Sequence, residues 1–399
     1  MSDWNPTTFN PHDPSFLADP YPTYAKFRDS APVTVVKPYG SHWVFRYDDV
    51  KRVLEDQAYF TKANPNPTMP PAPFDVLANF ETGIFSSDPK PHTTMRDTME
   101  PLFKKSITDA ADFAEGQARQ LLNDNLRGRH FELFNDFAAP LPARVLFHAL
   151  GLPQAHWEGV QRWVDGYVAG HDITQAPAVL WYSATSAMAL MTYFQGMMNG
   201  KPVCPVSGRM VEMLVSGAEA GGMNQGQVQA SLQNLAIAGF ASTTYLIATG
   251  TYRLITNTEQ LDLLKSDVNQ HVHAAIAEML RMDAPAQLVD RAVAQDTTLS
   301  GVQLRRGDTV TAVIGSANHD ESVFDNPEKF DITRDTSKQI AFGQGIHTCL
   351  GEPLVWMSGP AAFRTLLDVY PDITLAGLPQ WQTDPYLRSV INLPLNVEA

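Results

Sequence analysis

The residues from Gln225 to Thr256 contain no proline, in a chain of 399 residues that has 29 of them. Such a run reads as one long helix. Small and polar residues interrupt its apolar centre: Ala238, Gly239, Ala241, Ser242, Thr243 and Thr244. Glycine inside a helix costs about 1 kcal/mol relative to alanine. Either something approaches the backbone there or the helix bends. The chain from about residue 88 to 285 reads as mainly helical, with a second helix from roughly His271 to Met282 that stops before Pro285.

Outside that region the pattern changes. VTVVKPYGSHWVFRY reads as a hairpin of Val33 to Val36 and Trp43 to Phe45. Asp48 and Asp49 are placed to cap a helix that buries Val50, Val53 and Leu54. The stretch from Thr61 to Asp88 contains Pro65, Pro67, Pro70, Pro71 and Pro73 and reads as a long irregular loop. Its phenylalanines, Phe74, Phe80 and Phe85, are expected to face a pocket or the core. TLSGVQLRRGDTVTAVIG alternates short strands with turns, and one more helix begins near Leu350. The expected architecture is mostly α with small β-sheets, in one compact domain over residues 1–399.

The formal net charge of −14 argues against a nucleic-acid partner, because phosphate binding needs clustered lysine and arginine. Only two cysteines occur, Cys204 and Cys349, which fits a reducing compartment. The first twenty residues have prolines and charges and no apolar core, so they read as neither a signal peptide nor an anchor. No apolar run reaches the ~20 residues that span a bilayer. The expected location is the cytoplasm.

The stretch AFGQGIHTCLGEPL, residues 341 to 354, carries the chemistry. Gly343 and Gly345 frame a tight turn that lets backbone approach a flat ligand. Cys349 stands just before a helix with Pro353 in its first turn, where a thiolate gains from the helix dipole and free N–H groups. A lone cysteine is more often buried and inert. The order Phe, Gly, Gly, His, Cys, Gly tips the balance. FGQGIHTCLG resembles the cysteine-loop signature of the cytochrome P450 family, FGxGxHxCxG, at every fixed position.

The resemblance extends along nearly the whole chain. DPYPTYAKFR at 19 to 28 looks like the family's N-terminal helix, and SANHDESVFDNPEKFDITR like the segment leading to the cysteine loop. It implies haem b as cofactor and Cys349 as the iron ligand. It implies His92, Arg96, Arg291 and His347 as partners of the haem propionates, with Phe342, Gly343 and Gly239 also against the cofactor. EMLR supplies the family's ExxR pair, Glu278 and Arg281, in a structural role. The implied activity is insertion of one oxygen atom of O2 into a small organic substrate, by hydroxylation or oxidative dealkylation. Separate electron-transfer proteins, a ferredoxin and reductase or their equivalent, would supply electrons, and no membrane or nucleic-acid partner is implied. Phe74, Phe80, Phe240, Gln287, Leu288, Val289 and Ile391 would line a mainly apolar pocket.

Two departures stand out. The family's long-helix motif usually carries an acid followed by threonine; here Ala241 replaces the acid and Ser242 the threonine. Ser242 and Thr243 are then the side-chain candidates for proton delivery. The helix after the cysteine has Val355 and Trp356 where the family often has an Ala-Arg pair, and Pro360 is expected to kink it. Peroxide-driven or nitric-oxide-reducing chemistry, and a non-catalytic haem sensor or carrier, are the alternative readings.

Overall fold

The computed structural model describes residues 5–62, 83–125, 130–170, 172, 174–198, 211, 214–217 and 222–398. Cys204, the five loop prolines, Phe74 and Phe80 lie outside these residues. Short helices α1 (Pro14–Ala18) and α2 (Tyr21–Ser30) precede the hairpin β1 (Val33–Val36) and β2 (Ser41–Val44). Then come α3 (Tyr47–Glu55), β3 (Phe60–Thr61), α4 (Pro89–Asp109), α5 (Ala111–Asn125) and β4 (His130–Glu132). Helices α6 (Pro140–Leu150), α7 (Trp157–Ala169), α8 (Pro177–Met198), α9 (Gln225–Thr256), α10 (Thr258–Ser266) and α11 (Val268–Met282) follow. Strands β5 (Leu288–Val293), β6 (Thr297–Leu299), β7 (Val302–Leu304) and β8 (Thr309–Val313) lead to α12 (Ile314–Ala317) and α13 (Glu352–Val369). Strands β9 (Asp372–Leu375), β10 (Gln380–Trp381), β11 (Val390–Asn392) and β12 (Pro394–Glu398) end the chain. The architecture is mostly α with small sheets.

Helix α9 has the bounds expected from its proline-free run. A reciprocal cap starts it: Asn224 Oδ1 accepts from the Gln227 N–H, and Gln227 Oε1 accepts from the Asn224 N–H, both at 2.9 Å. The approach predicted at Gly239 comes from α6. A Cβ built on Gly239 would lie 2.6 Å from Leu146 Cδ2. Gly250 does the same for α11, where a Cβ would lie 2.5 Å from Met279 Sδ. Two glycines thus let neighbouring helices press against the central one, which offsets their cost in helix propensity.

Helix α3 begins differently from expectation. Arg46 occupies the cap position, and Asp48 and Asp49 lie in the first turn. The cap hydrogen bond comes from far along the chain: the Tyr47 N–H donates to Asp320 Oδ2 at 2.8 Å. Both acids still complement the helix dipole, and Val50, Val53 and Leu54 are buried as expected. The five-stranded sheet runs in the order β1-β2-β8-β5-β3. Its β3–β5 edge pairs Phe60 with Val293 and Thr61 with Ala292, antiparallel.

Three apolar clusters result. The largest joins α4 to α6, α9, α11 and α13. A second lies between the sheet and α3. A third is aromatic and pins the N-terminal helices, with Phe27 stacked on Phe45 at 4.3 Å. Phe85 departs from expectation: it is 44% exposed. Helix α13 continues through Pro360 to Val369. Among the described residues, no helix is long and apolar enough to cross a membrane.

Candidate functional site

The cysteine loop is a chain of tight turns. Gly343 and Gly345 take φ of 72° and 77°, a region closed to most side chains. The Cys349 N–H donates to Phe342 O at 2.9 Å, closing the loop on itself. Gly345 also has no room for a Cβ, which would lie 2.9 Å from Leu54 O at the end of α3. The thiol of Cys349 receives the N–H groups of Gly351 and Glu352, at the start of α13. Burial nevertheless raises its pKa above the ordinary thiol value, and those two N–H groups do not outweigh it. The expectation that the helix end alone would favour the thiolate is therefore corrected. A bound cation is what converts such a thiol to a thiolate ligand.

Basic groups converge beside this loop. The rings of His92 and His347 meet edge to face at 4.3 Å. His92 is buried and its Nδ1 has no hydrogen-bond partner. Arg96 reaches from α4 to the carbonyl oxygens of Ile346, at 3.4 Å, and Thr348, while its Nε donates to Glu100 at 2.6 Å. Arg291 is buried on β5, and its guanidinium donates to the neighbouring Asp290 carbonyl at 3.0 Å. Burial pulls its pKa down to about 10. His347 is pushed down to about 2 by burial first, then by His92, Arg291, Lys62 and Arg96. Lys62, lowered to about 7 by burial and then by Arg291, was missed in the sequence. It belongs to no motif and lies at the start of the proline-rich stretch.

Helix α9 carries the remaining residues that the resemblance assigns to the site. Its middle is buried except at Ala238, which is exposed, and Ala241 and Ser242, which are partly so. Their spacing of three and four residues puts these on one face. Gly239 meets Leu146 on another face, which accounts for a glycine at this position by helix packing. Thr243 is fully buried with an unpartnered hydroxyl. Five residues from Ala238, it points ~140° away from the open face. That removes it as a proton donor there and leaves Ser242.

The p450 family model, described as cytochrome P450, matches residues 209–370. The chain is 31% identical to the cytochrome P450 monooxygenase PikC of Streptomyces venezuelae over 394 residues, 95% of this chain and 91% of that one. It is 29% identical to 6-deoxyerythronolide B hydroxylase of Saccharopolyspora erythraea, over 96% of this chain and 98% of that one. The solved structure of PksS, a bacillaene polyketide synthase cytochrome P450 of Bacillus subtilis, superposes with a TM-score of 0.88 at 27% identity, covering 98% of this chain and 100% of that one. The chain belongs to the cytochrome P450 family. It is a haem-binding monooxygenase of the bacterial type.

The residues of this P450 fit the cofactor. Arg291, a buried guanidinium with no ion pair among the described residues, suits a ligand that brings carboxylates. The Glu278–Arg281 pair is fully buried, with bonds of 2.7 and 2.8 Å. Arg281 also donates to Asn318 O at 2.9 Å, and Glu278 Oε1 accepts from the Asp331 N–H at 3.0 Å and from Arg334 at 3.2 Å. Asn318 Oδ1 in turn holds the Ile340 N–H at 2.9 Å, directly before the cysteine loop of the P450. Arg334 and Asn318 were not foreseen, since neither falls in the four-residue motif.

The expected pocket residues divide. Phe240 packs edge-on against Phe147 at 5.7 Å, inside the helical core. Gln287 is turned toward the N-terminal helices, donating to Ala284 O at 2.8 Å and accepting from the Tyr24 hydroxyl at 3.4 Å. Leu288 packs into the aromatic N-terminal cluster. The pocket reading of Gln287 and Leu288 is therefore corrected: its hydrogen bonds commit Gln287 to the scaffold, and β5 pairing and the aromatic cluster commit Leu288. Val289 and Ile391 are partly exposed, on β5 and β11.

Proposed function

We propose that this P450 inserts one oxygen atom of O2 into a mainly apolar small organic molecule, by hydroxylation or oxidative dealkylation. Haem b would be its cofactor, with Cys349 Sγ binding the iron and His92, Arg96, Arg291 and His347 holding the propionates. Phe342 and Gly343, at the start of the cysteine loop, would lie against the macrocycle. One domain over residues 1–399 would work in the cytoplasm with separate electron donors, a ferredoxin and reductase or their equivalent. The observation that carries this reading is the Cys349 thiol backed by the Gly351 and Glu352 N–H groups, in a chain that also buries the Arg291 guanidinium without an ion pair among the described residues. The names of two relatives, 6-deoxyerythronolide B hydroxylase and the polyketide synthase P450 PksS, support an organic skeleton as substrate.

When bound, haem supplies oxygen activation, which a thiolate ligand favours by electron donation. The N–H groups of Gly351 and Glu352 would temper the charge on Cys349 Sγ. Arg96 ties α4 to the carbonyls of the cysteine loop and so fixes the height of that sulfur. Ala238 and Ala241 keep the facing helix surface free of bulk. Ser242 Oγ is the hydroxyl on that surface able to hold and pass a proton, alone or with water.

The missing acid at Ala241 favours a second reading, in which peroxide rather than O2 and electrons drives the reaction. Product formation with a ferredoxin–reductase pair and with peroxide separates the two. The central claim is checked by the reduced carbon monoxide complex. Wild type should give the strongly red-shifted Soret band of thiolate-ligated haem, and Cys349→Ala should lack it. Survival of that band in Cys349→Ala would overturn the assignment.

A further inference from the structure

Lys62 is a basic group of the site to which neither the cysteine motif nor the family resemblance gives a role. It follows β3, whose last two residues pair with Val293 and Ala292 of β5. One further step of that antiparallel register sets Lys62 across from Arg291, with both side chains on one face of the sheet. Like charges in that arrangement repel unless something sits between them.

The neighbouring carboxylates are engaged elsewhere. Asp290 accepts from the Thr311 hydroxyl at 2.7 Å and from the Tyr386 hydroxyl at 3.2 Å. As the residue before Arg291, it projects to the other face of β5. Asp88 accepts from the Thr61 hydroxyl and from the Lys62 backbone N–H, the latter at 3.2 Å. Among the described residues, no carboxylate lies within ion-pairing distance of Lys62 Nζ or of the Arg291 guanidinium. Two cations on one face, Arg291 on β5 and Lys62 just beyond β3, both near His347, form a receptor for an anion that the described residues do not provide.

We propose that Lys62 Nζ binds a haem propionate carboxylate together with Arg291, as an additional anchor of the cofactor. The inference rests on the haem reading above. A lysine gives one compact, strongly hydrated charge where arginine gives a planar fork. Arg291 would therefore orient the carboxylate, and Lys62 would neutralise it.

The test uses holoenzyme carrying either haem or haem dimethyl ester, whose propionates bear no charge. Haem release is followed by transfer to apomyoglobin. With haem, Lys62→Met should release about tenfold faster than wild type, equivalent to ~1.4 kcal/mol. With the dimethyl ester, the two proteins should release at the same rate. Equal acceleration with both cofactors, or none with haem, overturns the proposal. A second measurement needs no variant. Acetic anhydride should leave Lys62 of wild-type holoenzyme unmodified when haem is bound and acetylate it when the dimethyl ester is bound. Acetylation to the same extent in both would also overturn it. A chain that takes up no haem would instead refute the cofactor reading itself, so the two failures are distinguishable.

Discussion

Two buried groups of charges in this P450 have opposite bookkeeping. Around Glu278, a carboxylate meets Arg281 and Arg334, and the spare donors of Arg281 reach backbone oxygens. Around Arg291, a buried guanidinium has a single neighbouring carbonyl and faces Lys62 and His347. Both clusters would be costly if left unpaired. The first is complete without help from outside the chain and reads as scaffold. The second is complete only with an anion and reads as a binding site. Satisfaction, rather than burial or residue type, separates them.

The largest effect should come from breaking the complete cluster. Glu278→Ala leaves Arg281 and Arg334 without their carboxylate in the interior, at about 3–5 kcal/mol. Expression and thermal melting should show a strongly destabilised chain with little bound haem. A variant that melts like wild type would erase the distinction between the clusters.

A smaller, split effect should follow at the incomplete one. On the proposed assignment, Arg291→Ala would remove a charge-assisted hydrogen bond to the cofactor, worth about 1.5–3 kcal/mol, so haem affinity should fall. The stability of the haem-free chain should stay level or rise, because a buried cation without a carboxylate is gone. Chemical denaturation of both forms checks this. Equal destabilisation of both would make Arg291 a scaffold residue like Arg281.

The subtlest test is pH. Burial and Arg291 lower Lys62 to about 7, below its range in the unfolded chain. Between about 7 and the ordinary lysine pKa of ~10.4, the unfolded state therefore binds more protons than the folded one, and stability rises with pH. The haem-free protein should gain stability across that window, and Lys62→Met should lose this contribution. His347 stands near, but it is pushed down to about 2 and does not titrate in this window. A haem-free chain whose stability is flat in wild type would place Lys62 in contact with solvent.

What the sequence reveals depends on how local the cause is. The bounds of α9 follow from composition within the helix and from the cap at Asn224, so they are readable. The ExxR pair and the glycine turns of the cysteine loop are likewise contained in short motifs. The cap of α3 comes from Asp320, the filler over Gly239 is Leu146, and Lys62 meets Arg291 only through strand pairing. Each of these partners lies far away in sequence, where periodicity carries no information. Gln287 and Leu288 show the same limit from the other side. The family resemblance suggested a pocket, but hydrogen bonds to Ala284 and Tyr24 hold Gln287, and strand register and the N-terminal aromatic cluster decide where Leu288 points.

Arg96 has a consequence for assembly. Its bonds to the carbonyls of Ile346 and Thr348 join positions 250 and 252 residues apart. Contacts of such separation form late, because the intervening chain must first be ordered. A ribosome delivers residues 62, 92 and 96 long before 291, 347 and 349. The early half of the cation set thus waits without its counterpart, and the thiol arrives last. On the proposed assignment, cofactor capture would wait until Cys349 has been made.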